Sequence, residues 1–307
     1  MKKLISFLLI LTLCLSFAAC GGSGTSTPEP ADAGLQVGFG RELIMPEDFT
    51  KTHLAGGDAA NRVAKSVKDN LYITCIAFQE GGQTFLLYTM DAINSSESIT
   101  KPAKVAITQL TGVPAENIMM CATHTHAGVS LTYNWDGLQE HLRMFNEAAA
   151  YAAKKALNDL TPAEVYHGNV ETEKMAYVRH YELSDGSFAG SNFGNFSNGA
   201  IVGHSAEADG QFQLVKFVRE GKKDVVMMNF PAHAGMNGKQ ADTKLSADFP
   251  GPARDYIEAN SNSLVAYFIA AGGDQAADSG IGGRTRGRLS KGVVHVHVAA
   301  AGINRIP

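Results

Sequence analysis

The sequence predicts an α/β fold of α+β character, a mixed β-sheet core built from antiparallel hairpins with flanking helices. Three observations carry this. Short runs rich in Val, Ile, Phe and Tyr recur along the chain, two pairs of them are joined by tight loops, and helix-period segments separate several others. Composition agrees with a folded chain: 307 residues, 45% apolar and 18% charged with ten prolines, are too apolar and too evenly mixed for disorder and long enough to bury a core.

Residues 1–19 read as a signal peptide. Lys2 and Lys3 precede a mostly apolar run from Leu4 to Ser16, shorter than the roughly 18 to 20 residues of a membrane span. Phe17-Ala18-Ala19-Cys20 then resembles a bacterial lipobox, which makes Cys20 the candidate lipidated first residue of the mature chain. Ordinary secretion with cleavage near Ala19 is the alternative. Residues 20–34 comprise that cysteine and a Gly/Ser/Pro tether of the kind that holds a domain off a membrane. The expected location is extracytoplasmic, a membrane lipoprotein or else a secreted protein.

A domain is expected over residues 35–280. Strand-like runs lie at Leu71–Phe78, Thr84–Met90, Asn117–Ala122, Ala163–Val170, Gln211–Val218, Asp224–Phe230 and Ser263–Ala270. The first two, and the fifth and sixth, are separated by Gln79–Gln83 and Arg219–Lys223 and suit hairpins. Ile99, Ala103, Ala106, Ile107 and Leu110 recur at helical spacing, as do Leu138, Leu142, Phe145, Ala149, Ala152 and Ala156 after the cap candidate Asp136. A third helix is expected to start near Ser246 to Asp248, carry Pro250 and Pro252 in its first turn, and run to about Asn260. Hairpins combined with crossover helices exclude a purely doubly wound sheet. No internal repeat is evident.

Charge is unevenly placed. Of 26 basic and 30 acidic residues, two lysines fall in the leader and Arg284, Arg286, Arg288, Lys291 and Arg305 in the last 27 residues, which hold no acid. Residues 20–280 therefore carry 19 basic against 30 acidic groups, a net charge of −11 that argues against a nucleic-acid partner. Residues 281–307 form a basic tail whose composition reads as a truncated or frame-shifted end, with the stretch Val293–Ala300 expected to find no place in the sheet. With Cys14 removed and Cys20 modified, Cys75 and Cys121 remain in apolar runs, as a possible disulfide or, more commonly, as buried hydrophobes.

Chemistry concentrates just after the strand-like runs. ATHTHAG, Ala122–Gly128, follows an apolar run. Two histidines two apart on an extended strand end point to one side, so both imidazoles can face one ion, while a pair of surface histidines is the plain alternative. His295 and His297 in VHVHV share the spacing and merely alternate with valine. A metallo-β-lactamase pattern is excluded, because Gly128 stands where it needs Asp. An amidohydrolase barrel stays open as an alternative, although it would place its HxH on the first strand and here several elements precede it. A further histidine, His233, lies in PAHAG after Val225–Phe230, followed by SADFPG at Ser246–Gly251. AAGGDQAAD follows the last run.

In order and wording these segments resemble the N-terminal catalytic domain of the neutral/alkaline, non-lysosomal ceramidase family. VGFGRELIMPED (Val37–Asp48) and HLAGG (His53–Gly57) are similar to the family's opening. VKDNLYITCIAF, the strand ending in Asp91, ATHTHAG, YVRHYELSDG (Tyr177–Gly186), ADGQFQLVKF, NFPAHAG, SADFPG and AGGDQ then follow in the family's sequence order over roughly residues 35 to 278. The resemblance implies a zinc-dependent amidase acting on a small-molecule or lipid-like amide. It implies His124 and His233 as zinc ligands, His126 as a catalytic histidine relaying the proton, and Arg179 as the catalytic cation for the oxyanion. Asp274 is expected at the rim of the same cleft. Asp91 is a candidate partner for a ligand histidine, with helix capping as the alternative.

Two features depart from the family pattern. Ala276 stands where the ceramidases have a serine assigned as a nucleophile, with Ser279 three residues on. The family's remaining ligands, a Glu and a Tyr, come from well beyond residue 280. Two other readings therefore stand beside a hydrolase: a catalytically inactive ceramidase-like lipoprotein that captures a ligand in the same cleft, and the solute-binding lipoprotein of an importer. Zinc content separates the last from the first.

Overall fold

The computed structural model describes residues 34–172, 175–190, 199–237 and 243–277, and the backbone of 304–305. The signal peptide, Cys20, the tether before Gly34, Ser279 and the stretch Val293–Ala300 lie outside them.

Strand β1 (Gln36–Leu43) comes first, followed by the two-residue β2 (Ser66–Val67), the hairpin β3 (Tyr72–Glu80) and β4 (Gln83–Met90), helix α1 (Glu97–Thr111) and β5 (Ile118–Ala122). Helix α2 (Leu138–Asn158) leads into β6 (Thr161–Glu171) and the short strands β7 (Ala176–Val178), β8 (His180–Leu183), β9 (Phe188–Gly190) and β10 (Ile201–His204). A second hairpin, β11 (Gln211–Arg219) and β12 (Asp224–Phe230), precedes β13 (Lys244–Leu245), helix α3 (Pro250–Asn260), β14 (Ser263–Ile269), β15 (Gln275–Ala277) and β16 (Asn304–Arg305).

The main sheet runs β14-β12-β11-β6-β1-β3-β4-β5, with β16 on β6. Its central pairs are antiparallel, while β4·β5 and β12·β14 are parallel. Each parallel pair is bridged by a crossover helix, α1 or α3, as parallel neighbours require. The order is symmetric about the β1/β6 pair. β1-β3-β4-α1-β5 and β6-β11-β12-α3-β14 are the same succession: three antiparallel strands, a helix and a parallel edge strand. A duplication that is not evident in the sequence is thus present in the topology.

Strand alternation sorts the core into layers. Ile73, Cys75, Leu86, Tyr88 and Met90 face Ile99 and Ile107 of α1 and Phe145 and Ala149 of α2. Val37, Phe39 and Ile76 face the other way and meet Phe217, Val225, Ala266 and Phe268 of the second half. On its far side that half packs Val226, Met228, Val265 and Tyr267 against Phe249, Ala253 and Ile257 around α3. The layer order is helices, one half of the sheet, its other half, helix.

The strand-like runs coincide with β3, β4, β5, β6, β11, β12 and β14 to within two residues at each end. β1 escapes the sequence reading because Gly38 and Gly40 interrupt its pattern. Helix α2 lies directly on them: a Cβ on Gly38 would stand 1.9 Å from Ala156 O, and one on Gly40 2.0 Å from Ala152 O. Asp136 does not cap α2. Gly137 does so at φ 105°, with Trp135 stacked where a side chain would go, and Asp136 stays exposed. Helix α3 begins at Pro250, later than expected, because Asp248 is in the left-handed region at φ 59°. Cys75 and Cys121 are free thiols pointing to opposite faces of the sheet, so no disulfide joins them. Of the basic tail only Asn304–Arg305 is described, paired with Tyr166 and His167 of β6.

Candidate metal centre

The chain leaves β5 through Thr123-His124-Thr125-His126. His124 sits at φ 63°, a left-handed conformation that costs a non-glycine residue about 1 to 3 kcal/mol. The two histidines therefore share a side through a turn at the strand end rather than through extended alternation, and their rings stand edge to face at 82°. Thr125 between them is buried, its Oγ1 donating to Ser246 O at 2.8 Å. Beyond β12, Pro231-Ala232-His233 carries the third imidazole. His233 N donates to Gln275 O at 2.9 Å, and His126 N donates to Ala234 O at 3.0 Å, which stitches the two histidine loops together.

Three Nε2 atoms converge. They lie 3.1 Å apart for His124 and His233, 3.3 Å for His124 and His126, and 2.7 Å for His126 and His233. His124 Nδ1 lies 2.5 Å from Ile93 O and His233 Nδ1 lies 3.3 Å from Gly272 O, so in the tautomer that donates to these carbonyls each ring turns its Nε2 lone pair inward. Lone pairs facing one another this closely repel unless a cation lies between them. Nitrogens ligating one ion at about 2.0 to 2.1 Å with tetrahedral angles stand about 3.3 Å apart. This matches the separations of His124 from His233 and from His126, so these donors fit a metal, while His126 and His233 stand closer than that. Burial, with the charges of His233, His124 and Arg179, lowers the pKa of His126 to about 4. Burial and Arg179 lower that of His233 likewise to about 4. Both rings are neutral at pH 7, the form a metal requires.

Arg179 follows β7. Its Nη2 donates to Gly273 O at 2.6 Å and lies 3.4 Å from His233 Nδ1, while its amide donates to Asp274 O at 2.9 Å. Asp274 is exposed at this rim. Asp91 is elsewhere engaged. It is 2% exposed, and its Oδ2 accepts from Tyr72 N at 2.9 Å and Arg254 Nη1 at 3.1 Å. It neither hydrogen-bonds any of the three histidines nor caps α1, whose N-cap is Ser96. Ala276, at the place of the family's serine, bridges the His233 backbone.

The sequence reading passed over Arg62, which is 1% exposed and donates to Ala55 O and, at 2.9 Å, to His126 O. Gly56 makes room for it, since a Cβ there would stand 2.7 Å from Arg62 Nη1. The HLAGG wording was the available signal. A groove of about 430 Å³ opens beside His124 and His233, lined among others by Ile93, Asn94, Cys121, Ile269 and Gly272.

Fold and site together define an α+β protein whose two topologically matched halves bring three histidines to one point. No family model matches the sequence, and no curated protein matches it. Among solved structures the chain is similar to a ceramidase complexed with C2 and to the neutral ceramidase from Pseudomonas aeruginosa, each at a TM-score of 0.71 and 16% identity over 88% of this chain. The matches take in 44% and 45% of those chains, so this chain spans under half their length. The fold is that of the neutral ceramidases, in accord with the resemblance read from the motifs.

Proposed function

We propose that the chain is a ceramidase-like hydrolase of amide bonds that uses zinc at the His124, His126 and His233 cluster. The observation that carries this is the meeting of three inward Nε2 atoms, two of them locked by outward Nδ1 bonds to carbonyls. His124 and His233 carry that lock and are assigned as the ligands. Zinc bound there supplies Lewis acidity, lowering the pKa of a water towards 7 and polarising an amide carbonyl.

His126 makes no Nδ1 hydrogen bond among the described residues, and burial keeps it neutral at pH 7. It is assigned to accept a proton at Nε2 from the attacking water and to return it to the departing amine. Arg179 is held by Gly273 O beside the His233 ring. Its fixed guanidinium is assigned to the negative charge that develops on the carbonyl oxygen. The apolar groove beside His124 and His233 favours a lipid-like amide over a highly charged one.

Elemental analysis of the wild type beside His124→Ala and His233→Ala tests the reading, together with release of fatty acid from ceramide. About one zinc per chain, lost in both variants, is expected. A wild type without zinc, or variants that keep it, sinks the reading. Stoichiometric zinc with no hydrolysis favours the ligand-capturing lipoprotein. We further propose membrane attachment through lipidated Cys20. The expected result is a diacyl mass on the mature N-terminus that is lost in Cys20→Ser, and an unmodified N-terminus counts against it.

A further inference from the structure

The segment Ser246–Asp248, between β13 and α3, is wholly buried yet belongs to no element. It touches both histidine loops. Ser246 N donates to Ala127 O at 2.9 Å, and Ser246 O accepts from Thr125 Oγ1 at 2.8 Å, on the loop of His124 and His126. Asp248 Oδ2 accepts from Asn237 N at 2.6 Å, on the loop that carries His233. The segment is itself gripped by Asp69, whose Oδ2 accepts from Ser246 Oγ at 2.7 Å and whose Oδ1 accepts from Ala247 N at 2.5 Å.

We infer that Asp248, with Asp69 behind it, is a positioning residue for the metal centre: it clamps the His233 loop at a fixed distance from the loop of His124 and His126. The inference rests on the metal reading above, and it adds what sets the separation of the ligands. The left-handed backbone of Asp248, φ 59°, does not by itself call for a carboxylate, because asparagine adopts that conformation at least as readily. The carboxylate is used for something asparagine cannot do. Oδ1 accepts from Phe249 N at 2.7 Å while Oδ2 accepts from Asn237 N at 2.6 Å. A carboxamide has one acceptor oxygen, so one of the two bonds must go and an NH₂ is left facing an N–H. Asp248→Asn, with its oxygen kept on Phe249 N, therefore loses the bond to Asn237 N and weakens the clamp, although Asn237 Nδ2 keeps its contact to Ser246 Oγ.

The test uses the full chain and two readouts. In metal-free Asp248→Asn, the amides of Asn237 and His126 are expected to exchange hydrogen about tenfold faster or more, with those of β3 and β4 unchanged. In the same variant, zinc affinity measured by chelator competition is expected to fall about tenfold, the low end for outer-shell partners, with an altered cobalt(II) ligand-field spectrum. Asp185→Asn, which removes a carboxylate from an exposed turn, is expected to change neither. Unchanged exchange overturns the clamp. Faster exchange with wild-type zinc affinity and cobalt spectrum overturns its positioning role. A wild type that binds no zinc refutes the metal reading, and the exchange readout alone then judges whether Asp248 holds the two loops. Asp69→Asn, which weakens the grip one step further back, serves as a second variant should Asp248→Asn fail to fold.

Discussion

Replacing Asp91 by alanine separates its two readings, ligand partner and structural ion. Its carboxylate is 2% exposed and the Arg254 side chain it pairs with is 4% exposed, at 3.1 Å. The guanidinium also lies 4.9 Å over the Tyr72 ring, the exposed Asp255 is 3.5 Å from Nε, and Glu258 is a further acidic neighbour. Asp91→Ala therefore strands a buried charge and leaves Tyr72 N without its acceptor. Breaking a buried pair from one side costs about 3 to 5 kcal/mol. Arg254→Met in the same chain removes the stranded charge, so the double variant should cost at least about 1 kcal/mol less than the two singles added together. Urea unfolding of metal-free protein, followed by fluorescence of the lone tryptophan Trp135, measures all four states. A cost under about 1 kcal/mol for Asp91→Ala, or strict additivity, refutes the ion-pair argument. If the folded variant loses zinc as His124→Ala does, Asp91 acts on the ligands after all.

His126→Ala is expected to keep its zinc while losing about 10²- to 10⁴-fold in kcat, whereas His124→Ala and His233→Ala lose the metal itself. Zinc lost from His126→Ala would instead make it a third ligand. His141 is buried in α2, and burial lowers its pKa to about 4. Its unfolded ring titrates near 6.5, so the neutral ring's contribution is complete above that pH. It is lost as pH falls towards 4, by up to about 3 kcal/mol. Metal-free His141→Gln should show a flatter stability curve across that window, and parallel curves would contradict this. Gly40→Ala drives a methyl towards Ala152 O in α2 and should cost about 1 to 3 kcal/mol in urea unfolding. An unchanged midpoint would show that α2 does not rest on β1.

The strands visible in the sequence are those whose side chains pack on both layers. β12 reads directly from Val225, Val226, Met227 and Met228, since those residues alternate between two apolar cores. β1 is invisible for the opposite reason. Its glycines record a helix lying on the strand, and the identity of that helix, more than a hundred residues later, is not local information. His124, His126 and His233 could be picked out because polar, metal-binding side chains follow apolar runs. Asp91 could be picked out as important but not assigned, because its partner Arg254 is 163 positions away. Asp136 was a sound cap candidate by residue type, and the Trp135 ring decided for Gly137.

Topology explains why the centre needs the whole sheet. Each half places a loop after one strand of its parallel pair: β5 delivers His124 and His126, and β12 delivers His233, backed by Gly272 from beyond β14. Neither half alone carries all three histidines. The halves meet through Thr89 Oγ1 donating to Tyr267 O, in the strands that adjoin β5 and β12, and through Phe78 against Phe217 at 5.3 Å towards the opposite end of the sheet. Contacts between the halves therefore set the spacing of the two histidine loops coarsely, and the backbone bond from His126 to Ala234 and the Ser246–Asp248 segment also join those loops. A metal at this point would join two halves of one sheet, so its binding energy would add to the contact between them rather than to either half.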